Sequence, residues 1–141
     1  YRSGELGHTI VAETGELCPY CGRRGCLESL VSARALREAL GARGARAEEL
    51  CARLEENDGE AFRLLASRFA LALGNAIEIC DPALVTLYGA PFLAGTLFDQ
   101  VAARVEANER PCEIRRSELD PKLPALGGAA LALDHFFLSQ R

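Results

Sequence analysis

Apolar residues recur at helical intervals through much of this chain. In the segment 27–40 they fall three and four residues apart, which predicts an amphipathic helix. A longer stripe after residue 58 predicts a helix of about five turns, capped by Asn57 or Asp58. This helix should end at Asp81, because Pro82 disfavours helical backbone in the residue before it. Shorter helices are predicted over 47–55 and 95–106.

Runs of β-branched and apolar residues predict three short strands between these helices. The segments are 7–11, 84–88 and 112–116, with Ile114 facing inward in the last. The compact run 84–88, closed by Gly89, is typical of a fully buried strand. A last helix is predicted to begin near Leu126. Alternating strands and helices predict an α/β fold in a single domain over 1–141.

Composition is consistent with one globular domain and excludes several function classes. The chain has 141 residues, of which 49% are apolar, and its formal net charge is −4. Arginine and glutamate are interspersed as on solvated helix surfaces, so this segment alone is not expected to bind DNA. No uninterrupted apolar run is long enough for a membrane span. With neither methionine nor a signal peptide at its start, the chain is expected to be a cytoplasmic fragment of a longer polypeptide.

One histidine and three cysteines form the sharpest chemical pattern in the sequence. Cys18, Cys21 and Cys26 lie within nine residues, and His8 precedes them by ten. Zinc takes thiolate and imidazole ligands in a tetrahedron, and Gly22 and Gly25 would let the backbone turn back toward one ion. The pattern therefore predicts a closed, structural zinc site in a loop with few apolar residues. The alternative is a set of unconnected thiols with an unrelated histidine.

These residues carry a resemblance to the ROK family of bacterial repressors and sugar kinases. The run Glu5-Leu6-Gly7-His8 resembles the family's Glu-x-Gly-His, and the segment from Cys18 to Glu28 resembles its Cys-x-Cys-Gly-x-x-Gly-Cys-x-Glu. One departure is that Pro19 and Tyr20 separate the first two cysteines, where the family usually has one residue. The resemblance implies the C-terminal lobe of an actin-like (ribonuclease H-like) ATPase fold, with the sugar and zinc motif in 1–30 and a helix-rich body in 31–141.

The resemblance also implies a sugar site next to the metal. In ROK sugar binders both carboxylates and the histidine of these motifs contact sugar hydroxyls, which implies that role for Glu5, His8 and Glu28. His8 would bind zinc through one ring nitrogen and the sugar through the other. The alternative for Glu28 is an exposed charge in the first turn of a helix, favoured by the helix dipole.

The parts that the family's kinases require bear on the function expected of this chain. Their phosphate loop and catalytic aspartate belong to an N-terminal lobe, so this fragment is expected to be inactive, without catalytic residues. After the strand 84–87, Tyr88-Gly89-Ala90-Pro91 replaces a Gly-Gly turn that lies beside adenosine in these kinases, and its side chains would crowd ATP. The leading hypothesis is a sugar-sensing, self-associating (dimer or tetramer) domain of a transcriptional regulator, whose helix-turn-helix would lie upstream. The alternatives are part of an ATP-dependent hexose kinase, or a zinc module that binds a macromolecule through Arg23 and Arg24.

Overall fold

Helices dominate the computed structural model, which describes residues 4–93, 95–107 and 112–117. A single 3-10 turn, Leu6–His8, lies in the N-terminal segment. The regular elements that follow are α1 (Leu27–Val31), α2 (Ala33–Leu40), α3 (Ala47–Asn57), α4 (Gly59–Cys80), β1 (Leu84–Leu87), α5 (Ala90–Leu93), α6 (Leu97–Glu106) and β2 (Glu113–Arg116). None of the described helices combines the length and apolar composition that a membrane crossing requires.

The long helix α4 forms the centre of the described core. It packs against α6, α3 and α1, and it buries one apolar face that includes Phe62, Ala66 and Leu73. Asp58 rather than Asn57 caps it, because an Asp58 side-chain oxygen accepts a hydrogen bond from the backbone N–H of Ala61 at 3.0 Å. The predicted end is also confirmed, since the helix stops at Cys80.

The stripe over 27–40 belongs to two helices rather than one. Ser32 leaves helical geometry (φ −63°, ψ 154°) and separates α1 from α2. Its hydroxyl then accepts a hydrogen bond from the backbone N–H of Ala35 at 3.3 Å, as an N-cap does. The apolar spacing continues across this break because both helices pack against the same core, so periodicity alone could not locate Ser32.

The strands β1 and β2 are parallel neighbours, with Val85 opposite Ile114. Both strands were predicted, and the inward position of Ile114 is confirmed, since it is half-buried against the core. The expectation of a fully buried β1 is wrong: Leu84 is 44% exposed and Thr86 is exposed. Val85 and Leu87 contact the core while the alternate side chains do not, so among the described residues only one face of this strand is covered.

The strand predicted over 7–11 does not form. Its start belongs to the 3-10 turn, and Ile10 makes only an isolated bridge with Cys26. β-branched residues favour extended backbone, but the partner here is the irregular cysteine loop, which cannot continue a ladder. The helix expected over 95–106 is preceded by the short helix α5, which the sequence did not predict. The last helix, predicted near Leu126, lies outside the described residues.

We expect Asp58→Ala to lower the free energy of unfolding by about 1 kcal/mol, because the first turn of α4 loses its cap. Urea denaturation followed by circular dichroism measures the change. Asn57→Ala is the matched control, since the Asn57 side chain donates to the Arg53 carbonyl oxygen within α3 and not to the first turn of α4. Equal losses in the two variants would contradict the assignment of the cap.

Candidate metal centre

The four predicted metal ligands converge on one point. One ligand atom from each of His8, Cys18, Cys21 and Cys26 can be chosen so that all lie within 4.8 Å of one another. Nδ1 of His8 is 3.9 Å from Sγ of Cys18, and Sγ of Cys21 is 3.9 Å from Sγ of Cys26. The inserted residue between the first two cysteines therefore does not remove Cys18 from the cluster.

The two separations of 3.9 Å are slightly longer than those in a tetrahedral zinc site. With Zn–S bonds of about 2.3 Å and a Zn–N bond of about 2.0 Å, tetrahedral ligands lie roughly 3.5 to 3.8 Å apart. Cys18 and Cys26 are buried, and His8 and Cys21 are half-buried. The donor set of one imidazole and three thiols is the type that zinc prefers. The cluster is therefore consistent with a ROK zinc site that a metal would close with protein ligands alone.

Backbone hydrogen bonds bring Cys26 back to the other ligands. The Gly25 carbonyl oxygen accepts from the backbone N–H groups of Val11 and Ala12, and the Leu27 N–H donates to the Thr9 carbonyl oxygen. Gly25 has φ +69°, and a side chain there would overlap the Ala12 carbonyl oxygen. Only glycine satisfies both constraints. The sequence predicted this turn but not its contact with Ala12.

A second turn accommodates the extra residue between the first two cysteines. The Gly22 N–H donates to the Cys18 carbonyl oxygen at 2.8 Å, and the Cys18 N–H donates to the Arg23 carbonyl oxygen at 2.9 Å. These bonds close a tight loop that projects Tyr20 into solvent, where 68% of the residue is exposed. The added length is therefore absorbed at the tip of the loop, away from the sulfur atoms.

The two arginines of the loop bind its own backbone. Arg23 donates to the His8 carbonyl oxygen at 2.8 Å, and Arg24 donates to the Gly15 carbonyl oxygen at 2.9 Å. Both guanidinium groups thereby link the cysteine turn to the segment before it. This arrangement gives them a structural role and weakens the alternative of a nucleic-acid-binding zinc module.

The thiols of the cluster differ in acidity in the absence of metal. A hydrogen bond with the Arg23 backbone lowers the pKa of Cys21 to about 6. Burial raises the pKa of Cys26 instead. A bound cation would stabilise the thiolate form of every ligand, so metal binding would release protons from the buried sulfurs.

The three residues assigned to sugar binding lie in the 3-10 turn or next to it. The Glu28 carboxylate lies against Gly7, where an added side-chain carbon would be 3.0 Å from Oε2 of Glu28. Glu28 is half-buried in the first turn of α1, and Glu5 is exposed just before the 3-10 turn. Nδ1 of His8 is the ring nitrogen beside the Cys18 sulfur, which leaves Nε2 for another partner. Whether these groups contact a sugar stays a prediction.

The cysteines outside the cluster differ in their exposure to solvent. Cys51 is buried, which raises its pKa to about 11, and Cys112 is half-buried. Cys80 is exposed at the end of α4.

Comparison with known proteins decides the family. The model of the ROK family matches residues 2–135. This chain belongs to the ROK family. Its described part is accordingly a partial structure of the α/β ROK (actin-like ATPase) fold.

Relatives of this ROK chain include both regulators and kinases. The xylose repressor of Bacillus subtilis is 29% identical over 95% of this chain and 38% of its own length. The N-acetylmannosamine kinase of Haemophilus influenzae is 37% identical over 53% of this chain and 25% of its own length.

The solved structures similar to this chain also include both a kinase and a regulator. A ROK hexokinase from Thermus thermophilus superposes with a TM-score of 0.72 and 30% identity, covering 92% of this chain and 47% of the hexokinase. A ROK transcriptional regulator, a homologue of the E. coli MLC protein, superposes with a TM-score of 0.71 and 22% identity. The superposition covers 89% of this chain and 37% of the regulator, and at this identity it shows the fold alone. The chain therefore spans less than half the length of these relatives.

We expect the purified protein to bind about one zinc ion per chain and Cys18→Ser to lose most of it, because serine oxygen is a poor substitute for a thiolate ligand. Inductively coupled plasma mass spectrometry after dialysis measures the metal. Cys80→Ser is the matched control, since Cys80 is exposed and outside the cluster. Full zinc retention in Cys18→Ser would remove Cys18 from the ligand set.

Proposed function

We propose that this chain is the zinc-stabilised, sugar-sensing domain of a ROK transcriptional regulator. The observation that supports this most directly is the junction of two motifs at His8. Its Nδ1 lies in the cysteine cluster, while the residue before it, Gly7, touches the Glu28 carboxylate. Metal binding would therefore fix the position of a candidate sugar-binding surface.

The chemistry of this surface suits a polyhydroxylated ligand. Carboxylates accept hydrogen bonds from neighbouring hydroxyl groups, and Glu5 and Glu28 provide two of them around the 3-10 turn. His8 would bind zinc through Nδ1 and direct Nε2 to a sugar hydroxyl, with the metal setting its tautomer. A surface built from such groups discriminates against ligands that lack the matching hydroxyls, because its polar atoms would remain unpaired.

The metal itself is assigned a structural role. His8, Cys18, Cys21 and Cys26 would complete a tetrahedron, so no coordination position remains for an activated water or substrate. Zinc would hold the loop in shape, as it does in other closed sites of this ligand type. No catalytic residue is assigned to the chain, and a bound nucleotide is not expected.

The turn after β1 favours a regulator over a kinase. Gly89 has φ +129°, and α5 begins at the next residue, so Ala90 and Pro91 follow the only glycine of the turn. Tyr88, at the carboxyl end of β1, is 40% exposed. Side chains flanking a single glycine leave less room for close approach of a nucleotide than a Gly-Gly pair would. Alignment with the xylose repressor along nearly the whole chain agrees with this choice.

In the parent protein, sugar binding would shift the population between two lobe arrangements and so change the affinity for DNA. DNA binding would come from a helix-turn-helix elsewhere in that protein, and self-association would form a dimer or tetramer. We place this regulator in the cytoplasm. The second candidate is part of an ATP-dependent sugar kinase, which the 30% identity to the Thermus thermophilus hexokinase favours.

We expect the zinc-loaded parent protein to bind one of the sugars named by its relatives, namely xylose, N-acetylmannosamine or a hexose. Glu28→Gln should weaken that binding by roughly tenfold or more, because a charged hydrogen-bond acceptor is lost. Isothermal titration calorimetry measures the affinity, and zinc content verifies that the loop is intact. Glu13→Gln is the matched control, since Glu13 is an exposed glutamate of the same segment outside the proposed surface. Unchanged affinity in Glu28→Gln would contradict the sugar assignment.

For the parent protein, we expect sugar-dependent DNA binding and no sugar-dependent ATP hydrolysis. Electrophoretic mobility shifts on DNA from its own promoter region, with and without the sugar, test the first point. A coupled ADP assay with the same sugars tests the second. Sugar phosphorylation at rates typical of kinases, together with no DNA binding, would establish the second candidate instead.

A further inference from the structure

Arg23 contacts three of the four candidate zinc ligands without being a ligand itself. Nη2 of its guanidinium donates to the His8 carbonyl oxygen at 2.8 Å. Its own carbonyl oxygen accepts from the Cys18 backbone N–H at 2.9 Å. Hydrogen bonds from its backbone and from its guanidinium reach the Cys21 thiol. A single residue therefore links the histidine to the cysteine turn.

The bond to His8 fixes the backbone that carries the imidazole. His8 ends the 3-10 turn, where its N–H donates to the Glu5 carbonyl oxygen at 3.0 Å. Because Arg23 binds the carbonyl oxygen of the same residue, both backbone polar groups of His8 have partners. Metal ligands have to lie within about 0.2 Å of their bonding distance, so a fixed backbone favours a correctly placed Nδ1.

The guanidinium also suits the charge of an occupied cluster. Three thiolates and a neutral imidazole around a doubly charged ion leave one negative charge in excess. A cation beside the Cys21 sulfur would offset this charge. Arg23 is exposed, so water and salt would screen part of the attraction.

Arg24 provides a contrast within the same turn. It is also an exposed arginine, but its guanidinium donates to the Gly15 carbonyl oxygen at 2.9 Å. Gly15 lies outside the cluster. The two neighbouring arginines therefore have the same charge and similar exposure, and they differ in whether the guanidinium contacts a candidate ligand.

We propose that Arg23 is a positioning residue of the metal centre, which raises zinc affinity by holding the His8 backbone and placing a positive charge beside the Cys21 sulfur. Groups that bind metal ligands from outside commonly fix ligand orientation and so tune the site. Because Nε2 of His8 belongs to the proposed sugar surface, Arg23 would also influence sugar affinity through the orientation of that ring. This inference rests on the zinc-stabilised part of the proposed function and not on its sugar.

Zinc affinities of matched variants of the parent protein test the proposal, with a chromophoric chelator as competitor. We expect Arg23→Gln to bind zinc about tenfold more weakly, at the lower end of the effects known for such outer contacts. Arg24→Gln should bind zinc as the wild type does. Arg23→Lys should recover much of the loss, because its ammonium keeps the charge and can donate to the same carbonyl oxygen. Equal affinities in the Arg23→Gln and Arg24→Gln proteins would overturn the proposal.

A spectroscopic measurement separates positioning of a ligand from general stabilisation of the loop. Cobalt(II) in place of zinc gives visible absorption bands that depend on the ligand set and its geometry. At saturating cobalt, Arg23→Gln should shift or weaken these bands because His8 is held less well, whereas Arg24→Gln should leave them unchanged. A lower melting temperature of Arg23→Gln with unchanged bands and unchanged zinc affinity would reduce Arg23 to a structural link and overturn the proposal.

The wild-type protein distinguishes failure of this inference from failure of the proposed function. Absence of zinc from the wild type would overturn both. Zinc in the wild type with the same affinity in all variants would overturn the role of Arg23 alone.

Discussion

The convergence of one imidazole and three sulfurs is the constraint on which the N-terminal segment 4–26 depends. Between residues 4 and 26 the described chain has a single 3-10 turn, and its only bridges are isolated ones. Leu17 and Tyr20 in this segment face solvent rather than a core. Apolar contact of this segment with the core comes from partly buried side chains such as Leu6 and Val11. A shared metal ion would add a further link between distant parts of the loop. In the rest of the described structure, α4 packs against α6, α3 and α1.

The candidate sugar surface lies beside the metal cluster because both are built on the same loop. The two proposed carboxylates reach the same 3-10 turn from different parts of the chain, Glu5 from before it and Glu28 from the helix after the last cysteine. Cys26 is the residue before α1 and joins the cysteine loop to the helix that carries Glu28. The hydrogen bond from the Leu27 N–H to the Thr9 carbonyl oxygen ties the two parts directly. In the proposed function, zinc acts on ligand recognition through this geometry rather than through contact with the ligand.

The sequence predicted the metal cluster and most helices, and the reasons for its failures are physical. Close spacing of cysteines with flanking glycines constrains geometry locally, so His8, Cys18, Cys21 and Cys26 could be identified without a structure. The break at Ser32 was missed because apolar periodicity records which face is buried and not whether the backbone is continuous. The strand over 7–11 failed because strand formation needs a partner, and the partner here is an irregular loop. The exposure of Leu84 depends on what covers the sheet, which local sequence does not encode.

The similarity of this lobe to both a hexokinase and a transcriptional regulator means that its fold does not distinguish the two functions. The cysteine cluster does not distinguish them either, because a closed site supplies shape and not chemistry. The distinction has to come from the groups that a nucleotide would meet, and in this chain the local candidate is the turn after β1. Its single glycine, Gly89, is followed at once by α5, and in the proposed function such a turn lets a nucleotide approach the backbone less closely than a Gly-Gly pair would. Under the proposed function, the lobe combines the sugar motif with a turn that has one glycine instead of two, which suits sensing a sugar rather than modifying it.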